Sequence, residues 1–187
     1  PARVMREEAK RYARQHAHSA GNGALMRTAP VALAHLDDRD HLARAARAVA
    51  ELTHADPLAG DSCVLWCEAI RSAVLGEGDG LRAGLDLLPA DRRSRWAAWI
   101  EECTEPHVDP ARFRPNGYTV TALQAATAAV RATPVGDGID EPRCLHLQQA
   151  LHAAVRIGDD TDTVAAIAGG LLGAMWGASA VPWRWRR

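Results

Sequence analysis

An all-α domain is what this sequence predicts, and three observations carry the prediction. No stretch alternates apolar and polar residues with the period of two that a half-buried strand shows. Apolar residues instead recur at helical spacing through most of the 187 residues. Clusters of Gly, Pro and Asp then divide those stretches into roughly eight helical segments. The length suffices for one core and is too short to need two, so a single domain over residues 1–187 is expected. No segment repeats at a fixed period.

In chain order, residues 2–17 form a charged segment with few apolar positions, and His18 to Gly23 break it. Residues 24–36 are apolar apart from Arg27 and Thr28, with Pro30 early, where a first helical turn tolerates it. Asp37 and Asp38 suit an N-cap for an amphipathic helix over 39–52. Thr53 to Pro57 interrupt, and a long apolar helix runs over 58–76. The run Gly76-Glu77-Gly78-Asp79-Gly80 is a loop, followed by shorter helices over 81–88 and 91–103. Pro106, Pro110 and Pro115 make 104–117 an irregular connection. An Ala-rich helix spans 119–132, a turn-rich loop 133–142 and a helix 144–155. Residues 156–160 then lead into the last helix, and Trp183 to Arg187 form a surface segment.

Net charge is −1 with a pI near 6.8, which removes any global electrostatic case for nucleic acid or an anionic membrane. Lys10 is the only lysine; arginine supplies the rest of the positive charge. Cys63, Cys67, Cys103 and Cys144 are too sparse for a disulfide framework and read as small buried apolar residues. That fits a reducing, cytoplasmic setting. Residues 1–8 are charged with no apolar run behind them, so no secretory leader is expected. The uncharged run from Val164 to Val181 approaches the ~20 residues of a membrane span. Glycines dilute it, and a fully buried helix is the expected form.

The most informative stretch is Gly158-Asp159-Asp160-Thr161-Asp162-Thr163, which opens that run. One reading is an ordinary cap: Asp160 or Thr161 at the N-cap, with Asp162 favoured by the helix dipole. The other is a cation site. A cap needs a single such residue, and the surplus carboxylates repel unless a counter-charge joins them. Asp160, Asp162 and the Thr163 hydroxyl are oxygen donors of the kind hard divalent ions take.

The segment from Gly158 through Gly169-Gly170 and Trp176-Gly177 to Pro182 resembles the C-terminal signature of the ADP-ribosylglycohydrolase family. The family's usual Gly-Gly-Asp-Thr-Asp-Thr appears here with Asp159 in place of the second glycine. Three further stretches agree in order. Gly21-Asn22-Gly23 to Met26-Arg27 resembles the family's Asn-Gly segment, Thr53-His54 its Thr-His turn, and Gly117-Tyr118-Thr119 to Leu123 its Gly-Tyr helix start. The matches imply an all-α fold and a metal-dependent hydrolase that cleaves the glycosidic bond of ADP-ribose on a protein side chain or small molecule.

The resemblance further implies a pair of Mg²⁺ ions, or Mn²⁺, with Asp160, Asp162 and Thr163 as ligands from this side. Asn22, Met26 and Arg27 would shape the substrate cleft, His54 would lie near the ADP-ribose, and Gly117 and Tyr118 would line its wall. ADP-ribose or an ADP-ribosylated protein would be the partner. The family's Gly-rich opening, catalytic acid and Thr-Asp-Asp metal motif have no counterpart here. The early acids Glu7 and Glu8 lack any Thr-Asp-Asp nearby. The catalytic residue is therefore expected in a preceding segment, and the chain as a C-terminal portion of about two thirds of such a protein. A degenerate relative, either an ADP-ribose-binding pseudo-enzyme or a structural protein, is the alternative.

Overall fold

In a computed structural model that describes residues 1–186, helices fill the intervals between the breaker clusters. The described residues form α1 (Ala2–Gln15), α2 (Ala29–Ala34), α3 (Arg39–Ala50), α4 (Pro57–Leu75), α5 (Gly80–Ala83), α6 (Ala90–Thr104), α7 (Thr119–Ala132), α8 (Leu145–Arg156) and α9 (Thr161–Trp176). Among them there is no strand, only one isolated antiparallel bridge between Gly21 and Tyr118. Among the described residues no helix is long and apolar enough to cross a membrane. Trp183 and Trp185 are 69% and 40% exposed, as a surface segment requires. Arg187, the last residue of that tail, lies outside the described residues.

Helix ends follow local chemistry. The Asp38 carboxylate accepts from His41 N–H at 2.8 Å to cap α3, and Asp56 accepts from Leu58 N–H at 2.9 Å to cap α4. Pro57 stands in the first turn of α4, and Gly76 closes that helix at φ +71°. Two segments depart from expectation. Residues 24–36 are not one helix, because Pro30 sits in the first turn of α2 and a proline ring blocks the turn before it. Residues Leu25–Arg27 close a 3₁₀ turn instead. Residues 81–88 split likewise into α5 and a 3₁₀ turn over Gly84–Leu87, where Gly84 weakens the helix.

Helix α4 is the spine. Every residue from Ala59 to Ser72 is buried, and α2, α3, α5, α7 and α9 pack around it. On α7 only Thr121 breaks the buried run from Thr119 to Val130. The Trp66 indole N–H ties α4 to α9 by donating to Ile167 O at 3.0 Å. Burying α4 on all sides also buries Asp61, Glu68 and Arg71, so each must be paired. Asp61 accepts from Arg92 Nε at 2.6 Å, from Trp96 Nε1 at 3.2 Å and from Arg47, joining α4 to α3 and α6. Glu68 accepts from Arg39 Nε at 2.7 Å and from Arg71 Nη1 at 3.4 Å.

Small residues let neighbours close in at particular points. A Cβ added to Gly170 would lie 3.0 Å from the Ala29 Cβ, so α9 meets α2 closely there, whereas Gly173 faces open space. Gly80 is tighter still. A Cβ there would fall 2.6 Å from Glu68 O and 2.7 Å from Ala69 Cα, which are backbone atoms that cannot turn aside. Gly80→Ala is expected to cost about 1–3 kcal/mol of stability, read as a lower urea midpoint with an unchanged slope. An unshifted midpoint would show that α5 moves freely.

Cys63, Cys67 and Cys103 are buried, and burial pushes each thiol up to about 12. Cys144 departs from the expected pattern: it precedes α8 at the edge of the exposed loop and is itself exposed.

Candidate functional site

The N-terminal ends of α4, α7 and α9 meet at one end of the molecule, and the quoted motifs meet there with them. Residues 20–22 run beside residues 117–119. Asn22 N–H donates to Gly117 O at 3.1 Å, and Thr119 N–H donates to Ala20 O at 2.9 Å. Buried Asn22 then reaches the acidic turn, its Nδ2 donating to Asp160 Oδ2 at 2.8 Å and to Asn116 O at 2.9 Å. The Thr163 hydroxyl faces Met26 Sδ at 3.7 Å, a weak acceptor.

The turn itself uses left-handed backbone at Gly158 (φ +90°) and Asp159 (φ +58°). Aspartate is among the few L-residues that tolerate this region, which accounts for its standing where glycine is usual. Asp160 occupies the N-cap of α9, yet its side chain makes no capping hydrogen bond to the helix. Burial works to raise its pKa, but the Asn22 amide and the Thr163 hydroxyl outweigh burial and hold it below the usual carboxylate value. Asp162 is exposed and Thr163 is buried. No Arg or Lys forms an ion pair with Asp159, Asp160 or Asp162 among the described residues. Nor do three His, Cys, Asp or Glu side chains gather there in metal-holding geometry. The donor set fits part of a hard cation's oxygen shell, two carboxylates and a hydroxyl without a counter-charge. It does not fill that shell.

A second cluster links Arg27, Thr53 and His54. Arg27 Nη2 donates to Thr53 Oγ1, and a guanidinium has no acceptor to offer in return. The Thr53 hydroxyl also hydrogen-bonds His54 Nδ1, at 2.8 Å. The ring lies against Gly21 and Gly23, where added Cβ atoms would stand 3.4 Å from Nε2 and 3.1 Å from Cε1. Burial first, and the Arg27 charge second, push the His54 pKa below 6.5. The folded chain thus keeps His54 neutral where an unfolded chain would protonate it. Its contribution to stability is full above pH ~6.5 and is lost as pH falls through the folded value. The urea midpoint should drop between pH 7.5 and 5.5, and His54→Gln should flatten that slope. An equal slope in the variant would remove His54 from the account.

A cavity of about 530 Å³ opens beside these residues, lined by His18, Ser19, Gly21, Asp56, Gly117 and Tyr118 among others. Of the expected site residues only Gly117 and Tyr118 line it. Asn22, Met26, Arg27, His54 and the acidic turn adjoin one another outside it, so the expected residues share a patch and not a single pocket. Met26 and Tyr118 are 44% and 37% exposed on that patch. Glu7 and Glu8 are exposed on α1, with Glu8 paired to Arg11. Sequence reasoning missed Asn116, which is fully buried between Asn22 and the acidic turn. Its one signal was position, immediately ahead of the quoted Gly117-Tyr118.

Fold and site together define an all-helical domain with an acidic turn and an Asn-Gly segment joined at one end. The sequence model of the ADP-ribosylglycohydrolase family matches residues 2–187, and the chain belongs to that family. It is 28% identical to ADP-ribosylhydrolase ARH3 of Gallus gallus, over 90% of this chain and 53% of the relative. It is 27% identical to the ADP-ribosyl-[dinitrogen reductase] glycohydrolase of Rhodospirillum rubrum, over 89% of this chain and 49% of the relative. A solved structure described as an ADP-ribosylglycohydrolase-related protein complex superimposes with a TM-score of 0.62 at 34% identity, covering 89% of this chain and 54% of that one. The chain therefore spans about half the length of the relatives it matches.

Proposed function

We propose that the protein containing this chain hydrolyses the glycosidic bond joining ADP-ribose to a protein side chain or small molecule, reversing ADP-ribosylation. The observation that carries the reading is the Asn22–Asp160 hydrogen bond, which brings two motif segments 138 residues apart onto one patch. Asp160, Asp162 and Thr163 would hold Mg²⁺, or Mn²⁺, as part of a larger ligand set. Bound there, the cation supplies charge stabilisation and a template for hydroxyls and water. The chain's own groups prepare that place. Asn22 orients the Asp160 carboxylate by donating to Oδ2. Arg27 holds a fixed positive charge at the surface, suited to a diphosphate. His54 presents its Nε2 edge beside Gly21 and Gly23. Tyr118 forms the wall of the adjoining cavity.

A non-catalytic ADP-ribose binder is the second reading, favoured because no three acidic or imidazole ligands gather among the described residues. Calorimetric titration with ADP-ribose and Mg²⁺, alongside turnover of an ADP-ribosylated peptide, separates the two. The hydrolase reading expects the whole gene product to bind a pair of Mg²⁺ ions and release ADP-ribose. It expects the 187-residue chain alone to hold at most one ion weakly and to show no turnover. ADP-ribose binding without turnover by the whole product would establish the binder; no ADP-ribose binding would remove both readings.

A further inference from the structure

We infer that Asn116 is a positioning residue that sets the backbone and carboxylate of Asp160 for its cation. This assignment rests on the ligand reading of Asp160. Asn116 is 0% exposed, and a buried amide needs partners at both ends. Its Oδ1 accepts from Asp160 N–H at 2.9 Å, and its Nδ2 donates to Gly158 O at 3.1 Å. The side-chain amide thus pairs with the peptide groups on either side of Asp159, much as a neighbouring strand would. Asp159 is the non-glycine left-handed residue of the turn, so the fork spans the point where left-handed backbone costs a side chain most.

A second arm runs through Asn116's own main chain. Its carbonyl accepts from Asn22 Nδ2 at 2.9 Å, and that same nitrogen donates to Asp160 Oδ2 at 2.8 Å. Asn116 therefore holds Asp160 twice, directly at the peptide nitrogen and through Asn22 at the carboxylate. Oδ1 of Asn116 is turned to the Asp160 peptide and the residue is fully buried, so Asn116 acts through Asp160. Outer groups that orient a ligand typically change metal affinity 10–100-fold when removed.

The test uses the whole gene product, with amide exchange resolved at residue 160 and Mn²⁺ affinity read from water-proton relaxation. In the wild type the Asp160 amide should exchange far more slowly than that of Asp162, which lies at the open first turn of α9. Asn116→Ala should release the Asp160 amide and weaken Mn²⁺ at least about 10-fold, while amides along α4 keep their protection. Asn22→Ala removes only the carboxylate arm, so it should weaken Mn²⁺ and leave the Asp160 amide protected. An unprotected Asp160 amide in the wild type overturns the clamp without any variant having to fold. Wild-type Mn²⁺ affinity in Asn116→Ala overturns the positioning role alone. Failure of the wild type to bind Mn²⁺ overturns the ligand reading beneath it.

Discussion

Asp61→Ala is expected to lower the unfolding free energy by about 3 kcal/mol, toward the low end of the 3–5 kcal/mol for breaking a buried ion pair. Asp61 is fully buried on α4 and is the shared acceptor of Arg47, Arg92 and the Trp96 indole. Removing it leaves two guanidiniums and an indole N–H facing the space it filled. The side chains of Arg47 and Arg92 are 25% and 26% exposed, so both recover part of their hydration, and the loss stays near the bottom of the range. Burial works to raise the Asp61 pKa, but Arg92 and Arg47 together pull it below the ordinary carboxylate value. Its stabilisation is therefore present above pH ~4 and is lost as pH falls through the folded value. Asp61→Ala should show both a lower urea midpoint at pH 7 and a shallower loss of stability in acid. A midpoint unchanged at pH 7 would mean that the cluster contributes nothing net.

That cluster also shows what a single sequence hides. Residues 58–76 were legible as a long apolar helix because apolar residues crowd them and Pro57 and Gly76 mark the ends. The same crowding concealed Asp61, whose cations come from α3 and α6 and can be assigned only after folding. Helix α7 was legible to the residue, since its Ala-rich run follows Gly117-Tyr118 and stops at Thr133-Pro134. The segment around Pro30 was harder, because a proline in an apolar stretch marks a first turn without saying what precedes it. At the site, the acidic turn and the Asn-Gly segment were legible as motifs, but their contact was not. Asn116 joins them across gaps of 94 and 44 residues, and no window of local pattern reaches that far. The left-handed backbone of Asp159 likewise becomes visible only as a dihedral angle.

Asp162→Ala in the whole gene product is expected to reduce hydrolysis of an ADP-ribosylated peptide by about 10³-fold or more, near 4 kcal/mol of transition-state stabilisation. The helix should survive the change. Asp162 is exposed in the first turn of α9, where its contribution is the modest one of an acidic side chain to the helix dipole. The hold of α9 on the core lies further along, at Val164, Ile167, Ala168 and Leu172, all buried. Far-ultraviolet circular dichroism should therefore match the wild type while turnover collapses and Mg²⁺ affinity falls. Asp159→Gly is the informative neighbour. It removes an equal charge from the same turn but restores the residue that φ +58° favours, so activity and helix content should both persist. Loss of turnover in both variants would assign the effect to the summed negative charge of the turn. Wild-type turnover in Asp162→Ala would leave the turn as a helix start and nothing more. Loss in Asp162→Ala alone is the outcome that makes Asp162 a ligand, because the two substitutions differ in position and not in charge.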